Sequence, residues 1–173
     1  MIVVEGFDCS GKSTLANKIG AALKWDVLHT GGPTKDCHDV ERCIARSYAR
    51  MHMKCVQDRV THISETVYSM LTHPEKAAIA LNSIREIAVA ELVIYCRPPT
   101  EFLLEEFMNH ERKDHDDFTE LETLERNAPM VIRTYDTIMH LVAQYVGVRL
   151  LKHDRTDPRS EQQIIDIVRR KFG

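Results

Sequence analysis

Met1-Ile2-Val3-Val4-Glu5-Gly6-Phe7-Asp8-Cys9-Ser10-Gly11-Lys12-Ser13-Thr14 decides how the rest of the chain is read. Met1 to Val4 form an apolar run that reads as a buried strand. The run leads into GxxxxGKS from Gly6 to Ser13, beyond which Leu15, Ile19, Ala22 and Leu23 recur at helical spacing. Strand, glycine turn and helix, in that order, are the context a phosphate-binding loop needs. Glycines let the backbone bend around an anion with its N–H groups turned inward, and the helix N-terminus adds the positive end of its dipole. Gly6, Ser10, Gly11, Lys12, Ser13 and Thr14 are therefore candidate contacts to the phosphates of a nucleotide. In that arrangement Lys12 reaches the β- and γ-phosphates and the Ser13 hydroxyl binds Mg2+.

Outward from the loop, Trp25 to Thr30 reads as a second short strand closed by the turn cluster Gly31-Gly32-Pro33-Thr34. Residues 36–52 carry Val40, Cys43, Ile44, Ser47, Tyr48 and Met51 on one helix face. Arg42, Arg46 and Arg50 stack at i, i+4, i+8 on that helix, a row of like charges that repels itself unless anions lie near. The row reads either as a solvated face relieved by Asp39 and Glu41 or as an acceptor contact through Arg50 or Arg46. Lys54 to Gln57 form a third strand ending in Asp58-Arg59, and the helix that follows, Val60 to Leu71, is ended by Pro74. In α/β folds ligands bind beyond the carboxyl ends of strands. Asp58 is thus placed to hold Mg2+ through water or polarise an acceptor, and the planar fork of Arg59 to bind a phosphate. The other reading is a structural ion pair capping the strand.

Ala77 to Ala90 has a helical stripe of Ile79, Ala80, Ser83, Ile84, Ile87 and Ala88, and Leu92 to Cys96 reads as a buried parallel strand. After Arg97-Pro98-Pro99, Thr100 caps a helix from Glu101. Asn109 to Asp117 is polar without apolar periodicity and reads as a solvated flap; the alternative is a metal site from His110, His115 and the neighbouring acids. Thr119 with Glu122 forms a capping box, and Asn127-Ala128-Pro129 starts a further helix carrying Val131, Ile132, Tyr135, Ile138, Met139 and Val142 as far as Gly147. Val148 to Lys152 is the last strand, and Ser160 with Gln163 caps the final helix. The alternation predicts an α/β fold with a mostly parallel sheet of about five strands flanked by helices.

The 173 residues suit one domain spanning 1–173, and 43% apolar with 28% charged residues and a net charge of −3 exclude a nucleic-acid-coating or disordered chain. Positive charge for a polyanionic ligand must therefore be concentrated locally. The five cysteines (Cys9, Cys37, Cys43, Cys55, Cys96) are odd in number and never spaced CxxC, which predicts reduced thiols in the cytoplasm. No apolar run is long enough for a membrane span and the opening lacks signal-peptide flanks, so neither a membrane nor a nucleic-acid partner is expected.

Glu5 to Thr14 is similar to the EGxDxxGKST phosphate loop of thymidylate kinases, and Asp58-Arg59 resembles that family's DR motif. Ser64 and Tyr68 resemble the Ser and Tyr that follow DR, one residue further along than the usual spacing. The flap at 109–117, the helix from Val131 to Met139 and the loop Asp154 to Thr156 are similar to the lid, the helix after it and the adenine loop. The resemblance implies a three-layer P-loop NTPase fold with a lid, a homodimer and, given the small size, a phage-type or trimmed member, at work in the host cytoplasm if phage-encoded.

What the resemblance implies in function is transfer of the γ-phosphoryl of ATP to a deoxynucleoside monophosphate, dTMP first, with Mg2+ as cofactor and nucleotides as the partners. Positioning and charge neutralisation do most of the work in such a transfer. Lys12 and Mg2+ hold the leaving oxygens, with Ser13 a direct metal ligand and Asp58 acting through water, while Arg155 in the adenine loop belongs to ATP. On the acceptor side Arg59 orients the phosphate, Asp8 contacts the sugar and helps select deoxyribose, and Tyr68 stands beside them. The phosphate loop holds no arginine, so transition-state charge falls to the lid: Arg112 first, Lys113 second, with Arg97 as a fixed alternative. The nearest match to the family's base-reading segment is Ser47-Tyr48-Ala49-Arg50, which gives Tyr48 a stacking role and Arg50 a hydrogen bond. Only seven residues separate Arg50 from Asp58, too few for the further helix the family places there. Two other readings stay open: a P-loop kinase acting on a deoxynucleoside, a modified nucleotide or a base in DNA, and a nucleotide-binding module without turnover.

Overall fold

The computed structural model describes residues 1–30, 34–114 and 118–173, with side chains except those of 112–114, 118–122 and 124. Its sheet has five parallel strands, β1 (Ile2–Glu5), β2 (Asp26–His29), β3 (Cys55–Asp58), β4 (Leu92–Cys96) and β5 (Leu150–His153), in the order β2-β3-β1-β4-β5. β1 is therefore central, which explains why it is apolar throughout: both of its faces are covered. Val3, Cys55, Val93 and Tyr95 point to one face, under α3 (Thr61–Ser69), α5 (Thr100–Asp114) and α6 (Phe118–Leu141). Ile2, Val4, Val56 and Ile94 point to the other, under α1 (Lys12–Leu23) and α7 (Pro158–Phe172). After β1 the chain first builds one side of the sheet, β2 and β3, and then crosses to the other, β4 and β5, so β1 lies between β3 and β4. The crevice beyond the carboxyl end of β1 is the switch point where such sheets take their ligands.

α2 (Cys37–Arg50) is capped by Asp36, whose carboxylate accepts from the Asp39 amide at 2.8 Å. With α4 (Pro74–Asn82) it encloses a small separate core of Val40, Ile44 and Ala80. Several expected boundaries move. Pro74 starts α4 and does not merely end the helix before it. The helix expected over Ala77–Ala90 breaks at Ser83, whose hydroxyl bonds back to the Ile79 carbonyl at 3.3 Å, and continues as a 3-10 turn over Ile84–Val89. Asn127 does not cap a new helix: Pro129 lies inside α6, because Ala128, Ile132, Tyr135 and Met139 form one buried stripe whose packing outweighs the roughly 3 kcal/mol cost of an interior proline. A π turn over Val142–Val146 follows, stopped as expected by Gly147 at φ 76°. The last strand is shifted to Leu150–His153, and Asp157, not Ser160, caps α7 through the Arg159 amide. Ser160 instead accepts from the Asp154 amide at 3.0 Å. Thr100 is the first helical residue of α5, its hydroxyl accepting from Arg97 at 2.8 Å. The expected flap is helical over 109–114, the end of α5; its remainder, His115 to Asp117, lies outside the described residues, as do Gly31 to Pro33.

Candidate active site

The phosphate loop leaves β1 at Glu5. A side chain at Gly6 would stand 2.5 Å from the Cys96 carbonyl oxygen on β4, so the close approach of the two backbones requires glycine there. Gly11, at φ 87°, turns the chain into α1. The Ser10 hydroxyl is buried without a hydrogen-bond partner. Lys12 is buried and donates to the Phe7 carbonyl at 3.2 Å and to Asp8 Oδ1 at 3.4 Å, so its ammonium lies over its own loop. Ser13 and Thr14 are exposed in the first turn of α1.

β3 delivers Asp58 and Arg59 to the same crevice. The Asp58 carboxylate has His29 Nδ1 at 2.9 Å from its Oδ2, while its Oδ1 is buried and has no hydrogen-bond partner among the described residues. Arg59 has a left-handed backbone, φ 68°, with its N–H on the Val4 carbonyl at 3.0 Å. Its guanidinium donates to Asp8 Oδ1 and, at 3.0 Å, to the Tyr68 hydroxyl, and lies 5.2 Å from the centre of the Tyr68 ring. Tyr68 in turn donates to Asp8 Oδ2 at 2.8 Å. Burial raises the pKa of the Asp8 carboxyl, but Arg59, Lys12 and the Tyr68 hydroxyl outweigh it and hold the carboxyl below its ordinary range. For Arg59 burial disfavours the charge, yet Tyr135, Tyr68, Asp8 and Glu5 around it prevail and push its pKa further up. Burial pushes the Tyr68 phenol up as well, keeping it a donor.

Glu5 lies fully buried behind this cluster. Its carboxyl accepts from the Val60 amide at 2.6 Å and the Gly6 amide at 3.3 Å, fastening the phosphate loop to the segment after β3. Burial pushes its pKa up to about 7 against the pull of Arg59, the two amides and Lys12. An acid inside an apolar strand run was visible in the sequence; its partner, 55 residues away, was not.

Asp8, Arg59 and Tyr68 close one end of a cavity of about 450 Å³ whose far end lies between α3 and α4, at Glu65 and Lys76. Tyr48 and Arg50, read as the base contacts, do not border it. Tyr48 is 42% exposed and lines a different groove between α2 and α4, edge-on to His52 with ring centres 5.9 Å apart. Arg50 ends α2, its carbonyl accepting from the Met53 amide. Both fall outside because α2 packs on α3 and α4 through Val40, Ile44 and Ser47, its buried positions, and Tyr48 and Arg50 are not on that face. Arg97 places Nε and one terminal nitrogen on the two oxygens of Asp136, at 2.8 and 3.0 Å, an anchor on α6 that the sequence did not disclose. Arg155 reaches across the phosphate loop to the Cys9 carbonyl at 2.8 Å and to Glu106 at 3.0 Å, its guanidinium 4.9 Å from the centre of the Phe102 ring. Arg112 and Lys113 fall in the last turn of α5, with side chains outside those described. Among the described residues no cluster of metal-ligating side chains occurs at His110 or elsewhere, and no helix is long and apolar enough to cross a membrane.

No protein-family model and no curated protein matches the chain. Among solved structures it is similar to the YorR protein of Bacillus subtilis in complex with phosphorylated GDP, with a TM-score of 0.65 and 19% identity over 98% of this chain and 96% of that one. Deoxyadenosine kinase from M. mycoides with bound dATP gives 0.62 and 12% over 98% and 97%. A gluconokinase from Sinorhizobium meliloti gives 0.55 and 15% over 99% and 92%. The five-stranded parallel sheet, its flanking helices and the loop after β1 are thus the fold of P-loop kinases.

Proposed function

We propose that the chain is a cytoplasmic kinase that transfers the γ-phosphoryl of ATP to a deoxynucleoside monophosphate. dTMP is the acceptor that the likeness of its phosphate loop to those of thymidylate kinases selects. The observation that carries this reading is the Asp8–Arg59–Tyr68 cluster, which joins the phosphate loop to a cavity of nucleotide size. A phosphate cradle alone would serve any nucleotide-binding protein; one that shares a side chain with a second pocket suits a reaction between two ligands. The fold of nucleoside and nucleotide kinases supports the same reading.

The residues present fit Mg2+: Asp58 Oδ1 is buried with no partner, and the Ser13 hydroxyl opens α1. Bound there, the ion would neutralise charge on the transferred group. Lys12 would leave Asp8 for the β- and γ-phosphates, and the inward N–H groups of the loop would hold the β-phosphate. Arg59 would orient the acceptor phosphate, and Asp8, kept ionised by Arg59 and Lys12, would accept a hydrogen bond from the acceptor sugar. Arg155 would bind ATP, and Arg112, with Lys113 next, would bring transition-state charge.

One observation favours a deoxynucleoside acceptor instead: the fork of Arg97 is taken up by Asp136, leaving Arg59, already paired with Asp8, as the arginine of the cavity. ADP release measured with the five monophosphates dTMP, dUMP, dGMP, dCMP and dAMP, with the four deoxynucleosides and with single-stranded DNA separates these readings. Release with a monophosphate, lost almost entirely in Lys12→Ala, is the expected result. No release with any acceptor would leave only a binding module.

A further inference from the structure

The cavity's far end carries chemistry that the phosphate loop does not use. Lys76, on α4, is 7% exposed, its ammonium donating to the Thr34 carbonyl at 2.8 Å and standing 3.9 Å from Glu65 Oε1. Glu65, on α3, has a side chain only 11% exposed and accepts from the Ser69 hydroxyl. Both border the cavity, and so do Thr34 and Thr61, whose hydroxyl oxygens are buried and without a hydrogen-bond partner. No Val, Leu, Ile, Met or Phe is among the described residues that line it. A buried carboxylate and ammonium beside a cavity are costly without polar partners there. A site that would hold a base by shape alone has no use for them.

We infer that Glu65 and Lys76 read the acceptor base, and that they select a lactam edge, an N–H beside a C=O, as in guanine and in thymine or uracil. This rests on the cavity being the acceptor site. The carboxylate can only accept and the ammonium can only donate. A ring N–H meets the first and the carbonyl oxygen beside it, which projects from the ring, meets the second. The amino–imine edge of adenine or cytosine offers Lys76 a ring nitrogen set back between its substituents in place of a projecting oxygen, a poorer acceptor for an ammonium held on the Thr34 carbonyl. Guanine adds a second N–H for the other carboxylate oxygen.

Calorimetric titration of the whole chain with dGMP, dTMP, dUMP, dAMP and dCMP, and with N1-methyl-dGMP and N3-methyl-dTMP, tests this. A hydrogen bond to a charged group sets the expected scale: dGMP or dTMP binds about tenfold or more tighter than dAMP and dCMP. Methylation of the ring nitrogen removes that advantage, and so does Glu65→Gln. Equal affinity for the methylated and parent bases in the unaltered protein overturns the proposal without reference to any variant. So does a preference that survives in both Glu65→Gln and Lys76→Gln. The four deoxynucleosides run in parallel keep this separate from the choice of acceptor. If they bind in the same base order while no monophosphate is turned over, the base reading stands and the monophosphate reading falls; if neither class binds, both fall.

Discussion

Arg59 and Arg97 occupy equivalent places on either side of β1, each just past the carboxyl end of a neighbouring strand and each facing a carboxylate from another element. Their surroundings differ. Arg97 has four of its five N–H donors taken: Asp136 takes one each on two nitrogens, the Pro98 carbonyl and Thr100 hydroxyl take two more, and the Tyr95 hydroxyl donates to the same carboxylate at 2.9 Å. All of these partners belong to the frame formed by β4, α5 and α6. Arg59 is left unfinished. Its Nε is buried without a partner, its backbone is left-handed, and its carboxylate partner is part of the phosphate loop itself. Two arginines at matching strand ends thus hold different positions in the molecule, and the element that supplies the carboxylate decides which.

The largest effect that contrast predicts is on turnover. Arg59→Met should lower kcat/KM for the acceptor by roughly a hundred- to a thousandfold, the scale of losing one charged donor at a reacting group. Methionine meets the same left-handed strain as arginine at φ 68°, and Asp8 keeps Lys12 and Tyr68, so melting should shift little by comparison. Steady-state kinetics with acceptor varied at saturating ATP would measure it. A loss below about tenfold would erase the distinction between the two arginines.

The next effect depends on Glu5, the buried acid that ties the Arg59 side of the crevice to the phosphate loop. Its pKa is raised from 4.5 to about 7 in the folded chain. Between those values the native state keeps a proton that the unfolded state has lost. Its contribution therefore favours folding below pH 4.5, falls as pH rises, and levels off above about 7, a total on the order of 3 kcal/mol. Thermal melts of the unaltered protein and of Glu5→Gln across pH 4.5 to 7.5 should converge in slope only above that window. Parallel curves throughout would show that Glu5 is ionised in place by Arg59 and Lys12.

The contrast also shows where the sequence was informative. A backbone cradle needs contiguous residues, so Gly6 to Thr14 was legible as a unit, and Asp58-Arg59 was legible because a strand end is a local event. The α/β order followed for the same reason, from periodicity within each element. Partnerships across the fold were not legible. Nothing near Arg97 announces Asp136, which sits 39 residues on in a helix recognisable only by its apolar stripe. The likeness of Ser47-Tyr48-Ala49-Arg50 to a base-reading segment says nothing of which way α2 faces. The face a helix turns inward is set by its buried residues, and in α2 those are Val40, Ile44 and Ser47. Glu65 and Lys76 carry no local signal in the sequence; only α3 and α4 closing on one cavity brings them together.

Arg97→Met should act mainly on stability, lowering the unfolding free energy by about 2 kcal/mol as Asp136 and Tyr95 lose a charged partner. Denaturant unfolding would read it, with acceptor kcat/KM changing far less than for Arg59→Met. A larger kinetic than thermodynamic effect would move Arg97 to the side of the reacting groups.

The smallest effect separates a frame from a site most cleanly. Tyr95→Phe removes one hydrogen bond to Asp136 and leaves the fork of Arg97 in place. Asp136 is 43% exposed, so water can take the place of the phenol and the cost should be about 1 kcal/mol or less. If Arg97 is held only for the frame, the acceptor KM should not move, because nothing that faces the cavity has changed. Were the acceptor phosphate to draw Arg97 away from Asp136, that carboxylate, without the phenol, would lose more by giving up Arg97, and the acceptor KM would rise. A higher KM in Tyr95→Phe, with stability barely altered, would therefore mean that both arginines serve the acceptor and that Asp136 holds the place of a phosphate.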